Sequence, residues 1–393
     1  MYAVSTTWAK AQESFLAPEG LVEISCYIPA LKDTLVYTKK DLLSFTHQQT
    51  GSLVSGELPK NHIEFALDNS DGKWNPSNPR GMERHLSERL KVTLRYGYVI
   101  DGVNQWIPGG VFYLSEWRTS ANGLEANFVA RDVLEYMIDT PYTGSVSGTL
   151  YDIAQNAIAE ADIPADPNEA TEPLVLGTSL LGSAVLGFVL ATSISISEEL
   201  KNYSVGDIDY KGDESVAVIL QKCANAAGCV MYQGRDGVFV IDKLSYEDTG
   251  YVIPKKLSYA YPDIDFSRPI KKVSVTYYGD AVTVYPFSST GESQTLSNDF
   301  ILEKGQADTI AKWVCDSLRS RQQISGEFRG DPKFDLFDVV GVESKYGTIA
   351  GVVLTDIKYS FTGAFRVSYS GYIRGSGVAA EVYCGEYFAG EVV

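Results

Sequence analysis

Alternation of apolar and polar residues recurs in both the N-terminal and the C-terminal third of this 393-residue chain. In the first third it runs through His62–Leu67 and Lys91–Tyr96, and in the last third it returns at Val273–Tyr277. A period of two places every second side chain on one face of a strand. Both ends of the chain are therefore predicted to form β-sheets with one buried face.

Helical periodicity separates these two β-rich regions. Leu150–Ile158 is apolar at helical spacing, and Thr149 with Asp152 forms a capping pair at its start. A second helix is predicted from about Glu214, with Asp213 as its cap and Gly228 at its end.

Two further elements follow from the same patterns. Residues 229–241 read as a hairpin whose turn is Gly234–Gly237, and Ile310–Leu318 has the core spacing of a helix. The predicted fold class is therefore mainly β with an α+β insert, in which two β-domains flank a small α+β domain. The predicted boundaries are 1–140 for the first β-domain, 141–250 for the insert with its apolar segment 173–197, 251–375 for the second β-domain, and 376–393 for an extended tail.

The charge balance limits the partners. The chain has 33 Lys and Arg against 50 Asp and Glu, a formal net charge of −17. Phosphate binding requires clustered cations, so this composition argues against a surface that grips nucleic acid, sequence-specifically or otherwise.

Cysteine usage and the N-terminus bear on where the chain is made. The 5 cysteines are scattered and form no metal-like pair of pairs, and the N-terminus has no basic region followed by an apolar run. We expect free thiols in a protein made in the cytoplasm and released by a route such as lysis.

The sequence offers little for catalysis. Its histidines are His47, His62 and His85, so no histidine from the later domains can join a Ser or Cys triad. Asp68–Gly72 is similar to a calcium loop but has its glycine one position early, which favours a tight turn. The pair Glu198-Glu199 is expected by chance in so acidic a chain. We predict no enzyme activity, no cofactor and no metal site.

Two segments are candidate interfaces. No charged residue lies between Glu172 and Glu198, a stretch long enough for a membrane span but rich in Gly, Ser and Thr. Burial within protein or at an interface is favoured over bilayer insertion. The ending Val382–Val392 reads as a strand that adds to another chain, with a frayed tail as the alternative. The candidate interface residues are Leu176, Leu181, Leu186, Phe188, Tyr383, Tyr387 and Phe388.

Several short motifs occur in a characteristic order. The first three are Leu67-Asp-Asn-Ser-Asp-Gly-Lys-Trp-Asn-Pro76, Gly110-Val-Phe-Tyr-Leu-Ser-Glu-Trp117 and Ala130-Arg-Asp-Val-Leu134. With them, the stretch Ala66–Asp139 resembles the N-terminal region of siphophage tail hub proteins, the front part of tail-associated lysins. Further along, the helix and hairpin of Ala217–Ile241 and the segments Gly330–Val340 and Ile357–Gly363 are similar to later parts of the same proteins.

This resemblance implies a fold like that of the myophage baseplate hub, with two tail-tube-like β-barrel or sandwich domains in each protomer. It implies a homotrimer whose six β-domains surround the DNA exit channel at the virion tail tip, adapting a sixfold tail tube to a threefold spike or fibre. The implied partners are further copies of the chain, a distal tail protein or tail tube protein, a tail spike or fibre, and the tape measure protein. For segment 173–197, packing within the tail tip is favoured, and transient contact with the host membrane is the alternative.

The chain departs from the family pattern in two places. Phe337 stands where relatives often have glycine, and the sequence ends at Val393 where many relatives continue into lysin or receptor-binding regions. The second departure weighs against wall hydrolysis and direct receptor binding. Alternative functions are a distal tail adaptor that binds receptor-binding fibres, a tail-associated cell-wall hydrolase, and the hub of a contractile bacteriocin-like particle.

Overall fold

The computed structural model describes residues 4–14, 18–120, 122–161, 163, 175–176, 179–180, 194–208, 210, 212–268, 270–278, 281–286, 290–320 and 322–374. Over these residues the fold class predicted from sequence is confirmed: the chain is mainly β with an α+β insert.

Among its described residues, the N-terminal region has one α-helix followed by seven strands, with a 3-10 turn at Glu83–His85 between the fourth and fifth strands. The helix begins after Ser5, whose hydroxyl accepts a hydrogen bond from the Trp8 N–H at 3.0 Å. A tight turn at Asn122-Gly123, where Gly123 has φ of +73°, joins the last two strands. The elements are α1 (Thr6–Glu13), β1 (Glu19–Ile28), β2 (Asp33–Thr38), β3 (Leu42–Thr50), β4 (Lys60–Asp68), β5 (Lys91–Ile100), β6 (Val103–Thr119) and β7 (Glu125–Arg131).

Three of the described α-helices lie in the middle region. Thr149 and Asp152 form the predicted capping box. The elements are α2 (Leu134–Ile138), β8 (Val146–Thr149), α3 (Leu150–Glu160), β9 (Val175–Leu176), β10 (Ser179–Leu180), β11 (Ile194–Ile196), β12 (Ser204–Ile208), α4 (Val216–Ala226), β13 (Val230–Gln233) and β14 (Phe239–Asp242).

The predicted start of α4 is two residues too early, and its N-cap is Ser215 rather than Asp213. The carbonyl of Glu214 accepts a hydrogen bond from the Tyr142 N–H at 2.9 Å, and Ser215 forms a β-bridge with Pro141. These extended contacts hold residues 214–215 outside the helix.

The C-terminal region returns to strands around one long helix. This helix covers the predicted 310–318 and begins six residues earlier. The elements are β15 (Asp248–Ile253), β16 (Asp263–Phe266), β17 (Ile270–Tyr277), β18 (Ala281–Pro286), β19 (Glu292–Ser297), α5 (Lys304–Leu318), β20 (Gln322–Arg329), β21 (Val339–Ser344), β22 (Gly347–Phe361) and β23 (Phe365–Ile373).

One sheet of 13 strands joins the two ends of the chain. Its order is β16-β20-β23-β22-β3-β4-β7-β6-β5-β1-β2, and β21 pairs with both β22 and β15. The buried faces of N-terminal and C-terminal strands share one hydrophobic core. The two β-rich regions are therefore continuous through the pairing of β3 with β22.

The strand order contains the same unit twice. Unit A is β3-β4-β7-β6-β5-β1, and unit B is β16-β20-β23-β22-β21-β15. The long middle strand of each has a register irregularity at the same place, between Leu114 and Glu116 in β6 and between Leu354 and Asp356 in β22. The units differ at their ends, because β1 pairs antiparallel and β15 parallel, and unit A carries β2 in addition.

Backbone detail supports the equivalence of the two units. Arg89 in unit A and Phe337 in unit B both have φ of +65°, a left-handed conformation uncommon outside glycine. The N–H of Arg89 donates to the Leu114 carbonyl at 2.6 Å, and that of Phe337 donates to the Leu354 carbonyl at 2.8 Å. A residue with positive φ therefore lies just before each of two equivalent strands, β5 in unit A and β21 in unit B.

These two positions give a matched pair of substitutions. Phe337→Gly is expected to lower the free energy of unfolding by about 3 kcal/mol, because its ring is buried and packs on Tyr232 at 5.2 Å between centroids. Arg89→Gly should stay within about 0.5 kcal/mol of the parent, because relief of the left-handed strain offsets a lost exposed cation–π contact with Tyr136. Urea unfolding measures both values, and equal losses at the two sites would contradict this account.

A second hydrophobic core holds the α+β region. It contains the buried faces of α3, α4 and β14, and also residues of β17 and α5 such as Val273, Ile310 and Val314. Residues of β17 and α5 thus pack with the α+β core, although they follow residue 250, where the sequence placed the end of that unit. The four-part division of the chain stays a prediction.

Candidate assembly joint

The joint between units A and B is the antiparallel pairing of β3 with β22. It runs from Phe45 opposite Phe361 to Thr50 opposite Asp356. Asp356 also accepts side-chain hydrogen bonds from Thr50 at 2.6 Å and from Gln48 at 3.1 Å. Main-chain pairing and a carboxylate with two donors therefore stabilise the contact.

A buried polar group lies at the centre of the joint. His47 on β3 is fully buried, with Nε2 2.8 Å from Asn61 Oδ1 and Nδ1 2.5 Å from the Tyr96 hydroxyl. An amide oxygen only accepts, so Nε2 carries the proton and the hydroxyl donates to Nδ1. Burial lowers the pKa of His47 to about 3, which keeps the imidazole neutral.

Arg235 enters this core from the α+β region. It lies in the Gly234–Gly237 turn between β13 and β14, and its guanidinium carbon is 5.5 Å from the ring centroids of both Tyr96 and Tyr359. Its Nε is 3.9 Å from Asp335 Oδ1. One arginine thus contacts an aromatic ring from each unit and a carboxylate, which fixes the α+β hairpin against the joint.

The outer strand of unit B is exposed. β16 pairs only with β20 among the described strands, and all four of its residues are exposed. Ile264 is 40% exposed and Phe266 is 69% exposed. Tyr259 and Tyr261, just before the strand, are also exposed, so an apolar sheet edge is open to solvent.

The described residues show no arrangement typical of catalysis. No group of three or more His, Cys, Asp or Glu side chains within them is placed to hold a metal ion. Glu198 and Glu199 bind Lys201 at 2.6 Å and Lys243 at 3.0 Å as surface ion pairs. The four cysteines of the described chain, Cys26, Cys223, Cys229 and Cys315, are free and buried.

A groove of about 570 Å³ between residues 50–60 and β19 is lined by no histidine or cysteine of the described chain. No described helix has both the length and the apolar character that crossing a bilayer requires.

The interface residues predicted from sequence lie outside the described side chains. Leu176 is described only by its backbone, which pairs with Ser179. The other predicted positions, Leu181, Leu186, Phe188, Tyr383, Tyr387 and Phe388, fall outside the described residues. These seven positions stay predictions.

Sequence reasoning missed the joint and Arg235, although a signal was present. Leu114-Ser-Glu-Trp-Arg118 and Leu354-Thr-Asp-Ile-Lys358 share one pattern, which is Leu, hydroxyl, acid, apolar and base. They occupy equivalent places in β6 and β22. This five-residue pattern agrees with the two β-rich regions that the alternation predicts, and it marks equivalent strands in them.

Comparison with solved structures finds a similar fold in two tail proteins. The structure is similar to that of a tail protein from Neisseria meningitidis MC58, with a TM-score of 0.59, 14% identity, and coverage of 90% of this chain and 96% of that one. It is also similar to the 43 kDa tail protein of prophage MuSo2 from Shewanella oneidensis, with a TM-score of 0.58, 12% identity, and coverage of 90% and 98%.

Sequence comparison adds no relative: no protein-family model matches the chain, and no curated protein does. The resemblance to tail proteins seen in the short motifs is therefore confirmed at the level of the fold.

Proposed function

We propose that this protein is a structural hub of a phage tail tip, in which copies assemble into a homotrimeric ring around the DNA exit channel. The observation that carries the proposal is the duplicated unit within one sheet. Three chains would contribute six units, which suits a sixfold tail tube on one side and a threefold spike or fibre on the other. The shared fold with two phage tail proteins supports the setting.

The proposed partners follow from this position. A tail tube protein or distal tail protein would bind above the ring, a spike or fibre below it, and the tape measure protein would end within it. The net charge of −17 suits a wall along which DNA slides, because like charge opposes adsorption of phosphates. The proposed role is structural rather than catalytic.

The oligomer mass tests the proposal. The purified full chain is expected to give particles of about 129 kDa, three times the 43.0 kDa of one chain, and negative-stain images should show six lobes around a pore. Light scattering after size exclusion measures the mass. A sixfold hexamer would support the distal adaptor instead, and a monomer at tens of micromolar would overturn the ring. Peptidoglycan zymography serves as the test for hydrolase activity, and a clear band would contradict a purely structural role.

A further inference from the structure

The outer strand of unit B, β16, occupies the place that β3 occupies in unit A. The buried residues that lie opposite these two strands give the residue-by-residue correspondence. Ile63 on β4 and Ile324 on β20 are both fully buried and lie opposite Ala130 and Gly371, equivalent residues of the two units. His47 lies opposite Ile63, and Ile264 lies opposite Ile324. In register, Ile264 therefore corresponds to His47, and Phe266 corresponds to Gln49.

Exposure at these equivalent positions is the reverse of what polarity predicts. His47 and Gln49 are polar and fully buried, because β22 covers β3. Ile264 and Phe266 are apolar, yet they are 40% and 69% exposed. Large apolar side chains on the core-facing side of a sheet edge indicate a surface that a partner covers.

The strand that covers β3 also has a counterpart. Asp356–Tyr359 of β22 pair with β3, and the equivalent residues of β6 are Glu116–Thr119. These pair with β7 on one side, whereas β5 ends its pairing with β6 at Tyr113. On that second side, no described strand pairs with Glu116–Thr119.

Neighbouring side chains hold this stretch of β6 in place. The Trp117 indole N–H donates to Glu83 at 3.3 Å, and the Thr119 hydroxyl donates to the Trp74 carbonyl at 2.7 Å. Both contacts come from the loop between β4 and β5. The stretch is therefore ordered before any partner arrives, which lowers the entropic cost of pairing.

We propose that β16 of one copy pairs antiparallel with Glu116–Thr119 of the next copy, in the register of the joint. This inference rests on the proposed ring and names its contact. Transfer of the pairs Gln49–Ile357, Gln48–Lys358 and His47–Tyr359 gives the expected partners. They are Phe266 opposite Trp117, Asp265 opposite Arg118, and Ile264 opposite Thr119.

The chemistry of the transferred pairs is complementary. Asp265 and Arg118 are both exposed and carry opposite charges. Phe266 meets Trp117, and cross-strand pairs of aromatic residues and of opposite charges both stabilise antiparallel strands. A second copy of this chain is therefore the occupant that the two surfaces fit.

The contact also has the geometry of a ring. Each copy offers one β16 and one free stretch of β6, and these are different surfaces. Such a heterologous contact repeats head to tail and closes when the rotation between copies divides a full turn.

Cysteine cross-linking tests the register. In a Cys384→Ser background, Arg118→Cys with Asp265→Cys is expected to give cross-linked dimers and trimers under mild oxidation. The matched control, Arg118→Cys with Asp263→Cys, moves one thiol by two residues on the same face and should cross-link at least tenfold less. The four described native cysteines are buried, so little cross-linking through them is expected.

Charge reversal gives an independent readout. Arg118→Asp is expected to weaken association about tenfold, and adding Asp265→Arg should restore it. The register would be wrong, but the proposed ring unaffected, if rings of normal mass formed while both tests failed. The tests fail if the Asp265→Cys pair cross-links no more than the Asp263→Cys pair and if Asp265→Arg does not improve the association of Arg118→Asp. A parent chain that stays monomeric would overturn both proposals.

Discussion

Replacing Arg235 with alanine is expected to lower the free energy of unfolding by about 3–5 kcal/mol. The guanidinium is buried between Tyr96 and Tyr359 and approaches Asp335. Removal of the side chain leaves a cavity at the centre of the joint. It also leaves the largely buried Asp335 carboxylate without the neighbouring positive charge. Urea unfolding of the full chain measures the loss.

Two further variants separate charge from packing. Arg235→Met keeps most of the side-chain volume but leaves Asp335 without its cation, so it should remain clearly destabilised. Adding Asp335→Asn removes that carboxylate charge, and the double variant is expected to recover about half of the loss. Arg80→Ala, at an exposed arginine, is the control and should change stability by less than about 0.5 kcal/mol. A loss below about 1 kcal/mol for Arg235→Ala would show that Arg235 does not hold the joint.

Stability is expected to fall as pH rises from about 6.5 to 8, because of Asp132. This carboxyl is 2% exposed, and burial raises its pKa from 3.8 to about 8. Between these two values the folded state keeps a proton that the unfolded state releases, so this group makes folding less favourable with rising pH. His47 acts in the opposite sense between about pH 3 and 6.5, because its pKa is lowered on folding.

The effects of Asp132 and His47 therefore offset each other up to about pH 6.5, and of these two groups only Asp132 acts above it. One proton corresponds to about 1.4 kcal/mol per pH unit, which gives roughly 2 kcal/mol between pH 6.5 and 8. Asp132→Asn should flatten this decline, since an amide keeps the acceptor for the Leu134 N–H and does not titrate. With His47→Gln, the decline should begin already near pH 4. Parallel stability curves for the parent and Asp132→Asn would contradict the assignment.

Local patterns predicted the elements of this protein well. Period-two alternation identified strands such as β4 and β17, and the Thr149 and Asp152 pair marked the start of α3. These signals act within a few residues, where side-chain direction and main-chain capping are decided. The start of α4 was missed because the bridge between Pro141 and Ser215 comes from a distant part of the chain.

Long-range pairing was much less accessible. Nothing in β3 alone indicates that β22 is its neighbour, and the polar residues His47 and Gln49 conceal its burial. Helix α5 was predicted as an element but not its packing, because an amphipathic stripe does not specify which core it faces. The shared pattern at Leu114 and Leu354 marks β6 and β22 as equivalent strands, but it does not specify the neighbour of β3 or the packing of α5.

The distance in sequence between the joined strands has a consequence during synthesis. Thr50 and Asp356, which bond across the joint, are 306 residues apart. At about 5–20 residues per second, roughly 15–60 s pass between translation of the one and of the other. During that interval the edge of β3 that pairs with β22 has no partner strand. Chains that terminate prematurely would keep this unpaired edge and would be prone to aggregate or to be bound by chaperones.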